Sequence, residues 1–161
     1  MLREEDDAVI SMRRYLMDVP VPKFRIAVTR LMASEHPLAV ERLRYNERYR
    51  PHVPRQWRLC RLCVRKNGID GADIEDECHA LWECTSEERL TLRRDTFLDE
   101  AFGIWPSLRH IYTSSTPGVW TQTLLENTQL LCCFPKFVFD VFDIFQSVEM
   151  WVPPPYLYSP V

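Results

Sequence analysis

The chain has 161 residues, of which 46 % are apolar and 12 % aromatic, a composition typical of one globular domain and not of a disordered chain. Its acidic N-terminus lacks the apolar stretch of a signal peptide, and its most apolar segment, 130–145, is too short to span a bilayer. We therefore expect an intracellular protein of the nucleus or cytoplasm, neither secreted nor membrane-bound. In a reducing compartment its six cysteines favour metal binding over disulfides.

The net charge of −3 conceals two parts of opposite sign. Residues 20–66 contain twelve Lys and Arg against three Asp and Glu, a net charge of +9. Residues 67–161 contain five against fifteen, a net charge of −10. This asymmetry predicts either a polyanionic partner for the basic part or an electrostatic contact within or between molecules.

Apolar residues at helical spacing predict a mostly α fold, a small helical domain organised around a Cys-Cys-His-Cys zinc knuckle. The predicted helices cover residues 6–17, 23–33, 38–48, 75–84, 86–102, 119–132 and 136–148. Thr85 and Glu88 predict a capping box for the helix over 86–102, and Gly103 predicts its C-terminal stop. Between the helices we expect an extended connector at 50–56, a short strand or knuckle at 57–64, and a loop at 66–73.

This pattern divides the chain into four segments. We expect an N-terminal helix within 1–19, a helical zinc-binding core over 20–110, C-terminal helices over 111–150 and a proline-rich tail over 151–161. The tail, with three consecutive prolines after Val152, is typical of an extended polyproline conformation.

The most specific motif is a set of four metal-ligand residues in two closely spaced pairs. Cys60 and Cys63 are separated by two residues, and His79 and Cys84 by four. Three thiolates and an imidazole form a closed tetrahedral site with no position for a catalytic water. The motif predicts one structural Zn²⁺; the alternative is four unrelated buried side chains.

The other cysteines are weaker candidates. Cys78 is adjacent to His79 and is either a substitute ligand or a packed free thiol. Cys132 and Cys133 lie in an apolar stretch and are predicted to be core residues.

A basic stretch interleaved with aromatic residues follows the third predicted helix. Arginine binds phosphates, and tyrosine or tryptophan stacks on unpaired bases, so the stretch predicts nucleic-acid contact. The alternative is internal pairing, for which the acidic run at 73–77 offers partners. The candidate nucleic-acid-binding residues are Arg42, Arg44, Tyr45, Arg48, Tyr49, Arg50, Arg55, Trp57, Arg58 and Arg61.

No pattern in the chain predicts catalysis. The acidic run before the predicted helix at 75–84 is better explained by the helix dipole than by a catalytic metal. His36, His52 and His110 lack a nucleophile or carboxylate at a recognisable spacing, and we interpret them as ordinary polar residues. The sequence has neither a phosphate-binding glycine loop nor a serine-elbow motif.

The last predicted helix is rich in phenylalanine on more than one face. Such a helix is either buried on several sides or available to a partner. Core packing is the simpler interpretation, and a protein-binding surface is the alternative. The residues concerned are Phe134, Phe137, Phe139, Phe142 and Phe145.

Together, these strings resemble the C-terminal zinc-binding region of fungal non-LTR (LINE-type) retrotransposon reverse transcriptases. The resemblance covers residues 20–110 and rests on the segment 24–31, the segment 36–45, and the Cys-x2-Cys and His-x4-Cys pairs with the arginines around them. It implies zinc ligands at Cys60, Cys63, His79 and Cys84 and a role in holding template RNA or target DNA. The polymerase aspartates are not in this sequence, so the resemblance implies a separated remnant of such an element.

We therefore expect a non-catalytic domain that binds zinc and RNA or DNA, the nucleic acid through its backbone and without sequence preference. Its C-terminal helices are expected to contact a polymerase domain or another copy. The alternative is a structural zinc module for protein–protein interaction through those Phe-rich helices.

Overall fold

The computed structural model describes residues 16–45 and 52–158, and their regular structure is helical. Within these two ranges the only β pairing is an isolated antiparallel bridge between Leu59 and Ile74. The α-helices are α1 (Pro22–Met32), α2 (Ala39–Arg42), α3 (Arg61–Asn67), α4 (Glu88–Ile104), α5 (Leu108–Ser114), α6 (Pro117–Glu126) and α7 (Phe134–Gln146). The expectation of a mostly α domain is therefore confirmed.

Shorter helical turns connect these elements. One of them, His79–Glu83, is a π-helical turn and carries a candidate ligand at its first residue. The others are 3₁₀ turns at Arg55–Trp57, Ile69–Gly71, Thr128–Leu130 and Pro155–Leu157. None of the helices in the described ranges is long and apolar enough to cross a membrane.

Helix α7 lies at the centre of the hydrophobic core. On one side it packs against α1, where the Phe24 and Phe139 ring centroids are 5.4 Å apart. On another side it packs against α4, where Phe97 and Phe137 stack at 4.6 Å with an interplanar angle of 12°. An element with neighbours on several sides needs apolar residues on more than one face, which explains its phenylalanine content.

The aromatic core also fixes the π-helical turn. Trp82 contacts Phe137 and Trp120 at centroid distances of 5.3 Å and 5.9 Å, and its indole nitrogen donates to Thr121 Oγ1 at 2.7 Å. The segment that carries His79 and Cys84 is thereby held against α4, α6 and α7.

Several predicted boundaries differ from the structure. The helix predicted over 38–48 is regular only over Ala39–Arg42 before a turn begins, and residues 46–51 lie outside the description. The capping box of Thr85 and Glu88 does not form, because Glu87 is the N-cap and its own carboxylate accepts from the backbone N–H of Arg89.

Other differences concern the helix ends. Gly103 lies inside α4, which continues to Ile104, so it is not a C-terminal stop. Helix α6 ends at Glu126 and not at 132. The predicted N-terminal helix over 6–17 falls mostly on residues 1–15, outside the described ranges. Gly68, in contrast, does end a helix: it follows α3 with a φ of 79°, a conformation that glycine adopts without strain.

The proline-rich tail packs onto the domain. Pro153 is buried, and Met150 and Tyr158 contact a small cluster formed by Ala39, Leu43 and Val53. The tail has no regular secondary structure over 151–154 and then forms the 3₁₀ turn Pro155–Leu157. Part of it is therefore a structural element of the fold.

Candidate metal centre

Four ligand-type side chains converge in the interior, as the motif predicts. Cys60, Cys63, His79 and Cys84 are all buried, and their ligand atoms lie within 4.8 Å of one another. The Sγ atom of Cys84 is 3.9 Å from that of Cys60 and 3.8 Å from that of Cys63, while Cys63 Sγ is 3.3 Å from His79 Nε2. The group could hold a metal ion.

These separations agree with the edges of a tetrahedral site. Metal–sulfur bonds of about 2.3 Å place two ligand sulfurs about 3.8 Å apart, and a sulfur and an imidazole nitrogen about 3.5 Å apart. The two sulfur pairs that Cys84 forms match this geometry, and the pair of Cys63 Sγ and His79 Nε2 is shorter by about 0.2 Å. These three edges, with all four ligand atoms within 4.8 Å of one another, are compatible with a metal ion between them.

The first ligand pair lies at the start of α3. Cys60 precedes the helix and Cys63 is in its first turn, so their side chains are one helical turn apart and point the same way. The backbone N–H of Cys60 donates to the carbonyl of Asp73 at 2.7 Å, beside the Leu59–Ile74 bridge. This pairing holds the first ligand pair next to the segment that leads to the second.

The second ligand pair depends on the π-helical turn. In an α-helix, residues five apart are rotated by about 140° and point to different sides. Here the backbone N–H of Cys84 donates to the carbonyl of His79, five positions earlier, at 2.8 Å. This wider turn brings residues five apart onto one face, so both side chains reach the same centre.

Polar groups around the ligands orient them. Ser86 Oγ donates to Cys63 Sγ at 3.3 Å, and Asp73 Oδ2 lies 3.7 Å from His79 Nδ1. The buried side chain of Arg94 donates to the carbonyl of Leu81 at 2.7 Å and to that of Cys84 at 2.9 Å. Sequence reasoning missed Ser86 and Arg94, because neither position has a ligand-like spacing.

The same contacts shift the ionisation of the ligands. A hydrogen bond with the Cys60 thiol, and another with His79, lower the pKa of Cys84 despite its burial. Burial disfavours the charged form of His79, but its hydrogen bond with Cys84 and the charges of Cys84 and Asp73 raise its pKa overall. The hydrogen bond between Cys60 and Cys84 raises the pKa of the Cys60 thiol, and burial raises that of Cys63. The Cys60–Cys84 pair therefore favours one thiolate, the form that binds metals.

Cys78 does not belong to the group. It is half-buried, and burial together with the charges of Asp76 and Glu77 raises the pKa of its thiol. Of the last two cysteines, Cys133 is a core residue as predicted, whereas Cys132 is exposed.

The acidic run stabilises the N-terminus of the helical segment that carries His79. The backbone N–H of His79 donates to Asp76 Oδ1 at 3.0 Å.

The predicted nucleic-acid-binding residues separate into three groups. Arg44, Tyr45 and Arg55 are exposed, as is Arg42, while Trp57 is half-buried against the small cluster under the tail. Arg48, Tyr49 and Arg50 lie outside the described ranges. Arg58 and Arg61 are in the interior.

The assignment of Arg58 and Arg61 to a nucleic-acid surface needs correction. Arg58 donates to the carbonyls of Val40 and Val53 at 2.8 Å and 2.9 Å, and burial lowers the pKa of its guanidinium. Arg61 pairs with the fully buried Glu75. Both guanidinium groups are engaged by partners inside the fold, so neither is available to a phosphate at the surface.

The acidic run also pairs with part of the basic stretch. Besides the Arg61–Glu75 pair, Arg55 contacts Asp76 at 3.0 Å. Internal pairing therefore accounts for some of the arginines, while others remain exposed.

The phenylalanines of the Phe-rich helix, α7, pack in the hydrophobic core. Phe134, Phe137, Phe142 and Phe145 are buried and Phe139 is half-buried against α1. This agrees with the simpler interpretation, core packing.

The remaining histidines differ from one another. His52 Nε2 lies 3.2 Å from the Arg58 guanidinium and His110 is exposed, but His36 is completely buried, which its sequence context does not indicate.

Comparison with protein-family models, with curated proteins and with solved structures finds no match to this chain.

Proposed function

We propose that this chain is a non-catalytic domain that binds one structural Zn²⁺ and uses an exposed basic surface to bind single-stranded RNA or DNA. The observation that carries the metal assignment is the convergence of three cysteine sulfurs and one imidazole nitrogen at tetrahedral spacing. Zinc prefers this ligand set, and four protein ligands leave no position for a catalytic water. The role of the metal is therefore to stabilise the fold.

The proposed metal adds a cross-link between two neighbouring segments of the fold. Cys60 and Cys63 come from the start of α3, and His79 and Cys84 from the two ends of the π-helical turn. Buried side chains such as Leu62, Leu81 and Trp82 already pack both segments into the core, and the ligand bonds add to that packing. Removing the metal should loosen the packing of both segments.

The metal assignment is tested by elemental analysis of purified protein and of two cysteine variants. We expect about one tightly held equivalent of zinc, retained during dialysis against a weak chelator. Cys63→Ser should lose this zinc together with cooperative unfolding. Cys78→Ser is the matched control, since it removes a neighbouring thiol outside the group and should retain the zinc. A Cys63→Ser protein with full zinc content would refute the assignment.

The nucleic-acid part of the proposal rests on the charge separation and on the side chains that remain exposed. Residues 20–66 have a net charge of +9, and the Arg44 guanidinium stacks over the exposed Tyr45 ring at 5.6 Å. An arginine–tyrosine pair of this kind offers one group for a phosphate and another for a base. The resemblance to the C-terminal zinc-binding region of LINE-type reverse transcriptases supports the same role.

The binding test uses two triple variants with equal loss of charge. Replacing Arg44, Arg48 and Arg50 with alanine should weaken binding of a single-stranded oligonucleotide for all sequences alike. The slope of log affinity against log salt should fall by about 2, or about 0.7 for each lost phosphate contact. The control replaces Arg89, Arg93 and Arg109, which are exposed arginines of the acidic part. Equal slopes for the wild type and the first variant would exclude this surface.

A further inference from the structure

A second group of metal-ligand side chains lies apart from the cysteine centre. His36 Nε2 and one carboxylate oxygen each from Glu41 and Glu77 lie within 4.8 Å of one another. His36 is completely buried, and its Nε2 atom is 2.8 Å from Glu77 Oε1. The two glutamates are half-buried, so the group has a buried side at His36 and a side at the carboxylates that solvent can reach.

The fold fixes these three residues relative to one another. His36 follows α1, Glu41 is in α2, and Glu77 leads into the π-helical turn. The Glu75 carboxylate accepts from the backbone N–H of Ala39 at 2.8 Å, and its carbonyl accepts from that of Val40 at 3.1 Å. Helix α2 is thus tied to the segment that carries Glu77, and the carboxylates of Glu41 and Glu77 face each other across a short distance.

The imidazole of His36 has a single hydrogen-bond partner among the described residues. Its Nε2 atom makes the contact with Glu77, whereas its Nδ1 atom is buried without a hydrogen-bond partner. The ring is otherwise held by packing, with its centroid 5.8 Å from that of Phe142. A cation at Nε2 would therefore replace one carboxylate contact and break no other hydrogen bond of the ring.

A cavity lies on the accessible side of the group. It has a volume of about 440 Å³, and its lining comprises Arg30, Ser34, Glu35, His36, Glu41, Arg42 and Tyr45. Glu77 does not line this cavity, and the two arginines oppose a cation there. A cation bound by the three side chains would keep positions open to this space, which water or an anionic oxygen can fill.

We propose that His36, Glu41 and Glu77 form a second, exchangeable site for a divalent transition metal ion. One imidazole and two carboxylates suit Zn²⁺, Co²⁺ and Mn²⁺ and lack the soft thiolates of the cysteine centre. Metal bonds of about 2.0–2.2 Å require adjacent ligand atoms about 3.3 Å apart. The His36–Glu77 pair needs to open by about half an ångström to reach this distance, which a half-buried carboxylate can do.

Neighbouring arginines limit the affinity of this site. Arg44 contacts Glu41 at 3.5 Å, and the charge of Arg55 acts on Glu77. A divalent cation has to compete with these positive charges for the same carboxylates. The site should consequently bind metal more weakly than the cysteine centre, and removal of Arg44 should strengthen it.

The experiment is a titration of the metal-depleted, full-length chain with Co²⁺, followed by absorption spectroscopy and calorimetry. Binding to the cysteine centre produces thiolate-to-cobalt charge-transfer absorption, whereas binding to a nitrogen and oxygen site does not. We expect two equivalents, the first with that absorption and the second without it. Glu41→Gln should weaken the second equivalent by more than about tenfold and leave the first unchanged.

Arg44→Ala provides the opposite change in the same assay. Its side chain is 55 % exposed, so the substitution leaves the fold intact, and the second equivalent should bind several-fold more tightly. Arg109→Ala is the charge-matched control and should change neither equivalent. A stoichiometry of one, or equal affinities of the second equivalent in the wild type and the Arg44→Ala variant, would overturn the proposal, even if Glu41→Gln failed to fold.

Discussion

The guanidinium group of Arg61 and the carboxylate of Glu75 form a buried ion pair beside Cys60 and Cys63, the first pair of candidate metal ligands. Arg61 is 5 % exposed and Glu75 is fully buried. The same guanidinium donates to the carbonyls of Pro37 and Phe145 at 3.0 Å, and to that of Val148 at 3.2 Å. One side chain between two candidate ligands thus connects α3 to the start of α2 and to the end of α7.

Breaking this pair should destabilise the whole domain. Glu75→Gln keeps the shape of the side chain but leaves the Arg61 guanidinium without a counter-ion in the interior. We expect the free energy of unfolding to fall by about 3–5 kcal/mol, as for other buried pairs from which one partner is removed. Chemical denaturation followed by circular dichroism measures this loss.

A matched control separates burial from charge. Glu87→Gln breaks the exposed pair of Glu87 with Arg89 and should cost less than about 1 kcal/mol. Replacing both Arg61 and Glu75 with apolar residues should recover part of the lost stability, because no unpaired charge remains. Equal losses for Glu75→Gln and Glu87→Gln would contradict the structural role of the pair.

The ligand group was predictable because its information is local. Two short spacings identify Cys60, Cys63, His79 and Cys84, and the structure brings these four together and leaves Cys78 aside. The π-helical turn was not predictable, since it is fixed by the packing of Trp82 and the hydrogen bonds of Arg94, both of which are long-range contacts.

The error about Arg58 and Arg61 has a clear physical origin. A run of arginines has the same composition whether its members face water or backbone carbonyls, so a charge pattern alone does not separate the two cases. One signal was present: Arg61 lies between two ligands, and residues interleaved with buried ligands tend to be buried themselves. Its partner Glu75 is fourteen positions away, beyond the reach of any local pattern.

The helix bounds also divide into those set by local sequence patterns and those set by long-range contacts. The bounds of α1 and α7 were predicted closely because both have strong apolar patterns and a proline near the start. Helix α2 is shorter than predicted because its residues pack on the returning tail, where Tyr158 contacts the cluster of Ala39, Leu43 and Val53. The hydrophobic periodicity of a sequence does not indicate tertiary contacts of that kind.

The stacked pair of Phe97 and Phe137 provides a test of the core. Both rings are 3 % exposed, and Trp82 contacts each of them. Phe137→Ala should lower the free energy of unfolding by about 3–5 kcal/mol, because the cavity cannot close fully against α4. Tyr156→Ala removes a ring that is 76 % exposed and serves as the control, with no measurable loss expected. A small effect of Phe137→Ala would show that this ring is not part of the packed core.

Ser86 should tune the metal centre without being a ligand. Its hydroxyl donates to Cys63 Sγ, and such a hydrogen bond orients the thiolate and stabilises its charge. We expect Ser86→Ala to weaken metal binding by about tenfold while the protein still folds in the metal-bound form. Competition with a chromophoric chelator measures the change. Ser114→Ala alters a hydroxyl that bonds only within α5 and should have no effect on affinity.

The six cysteines should differ in reactivity in a way that reports both burial and metal binding. Alkylation requires a thiolate with access to solvent. Cys132 is exposed and should react first, whereas burial raises the pKa of Cys133 to about 12, so that its thiolate fraction at neutral pH is very small. Because that pKa is raised, the thiolate fraction should grow about tenfold for each pH unit until the pH approaches about 12.

The alkylation rates of the three cysteine ligands should depend on whether metal is bound, and not on pH alone. With zinc bound, Cys60, Cys63 and Cys84 should resist alkylation, and a strong chelator should release all three together, because loss of one ligand opens the site. Cys78 is half-buried and lies outside the group, so it should already label with zinc bound, and the chelator should change its rate less than the rates of the three ligands. Mass spectrometry of peptides after timed alkylation gives each rate separately. If the chelator accelerated Cys78 and not Cys84, the ligand would have to be reassigned to the neighbour of His79.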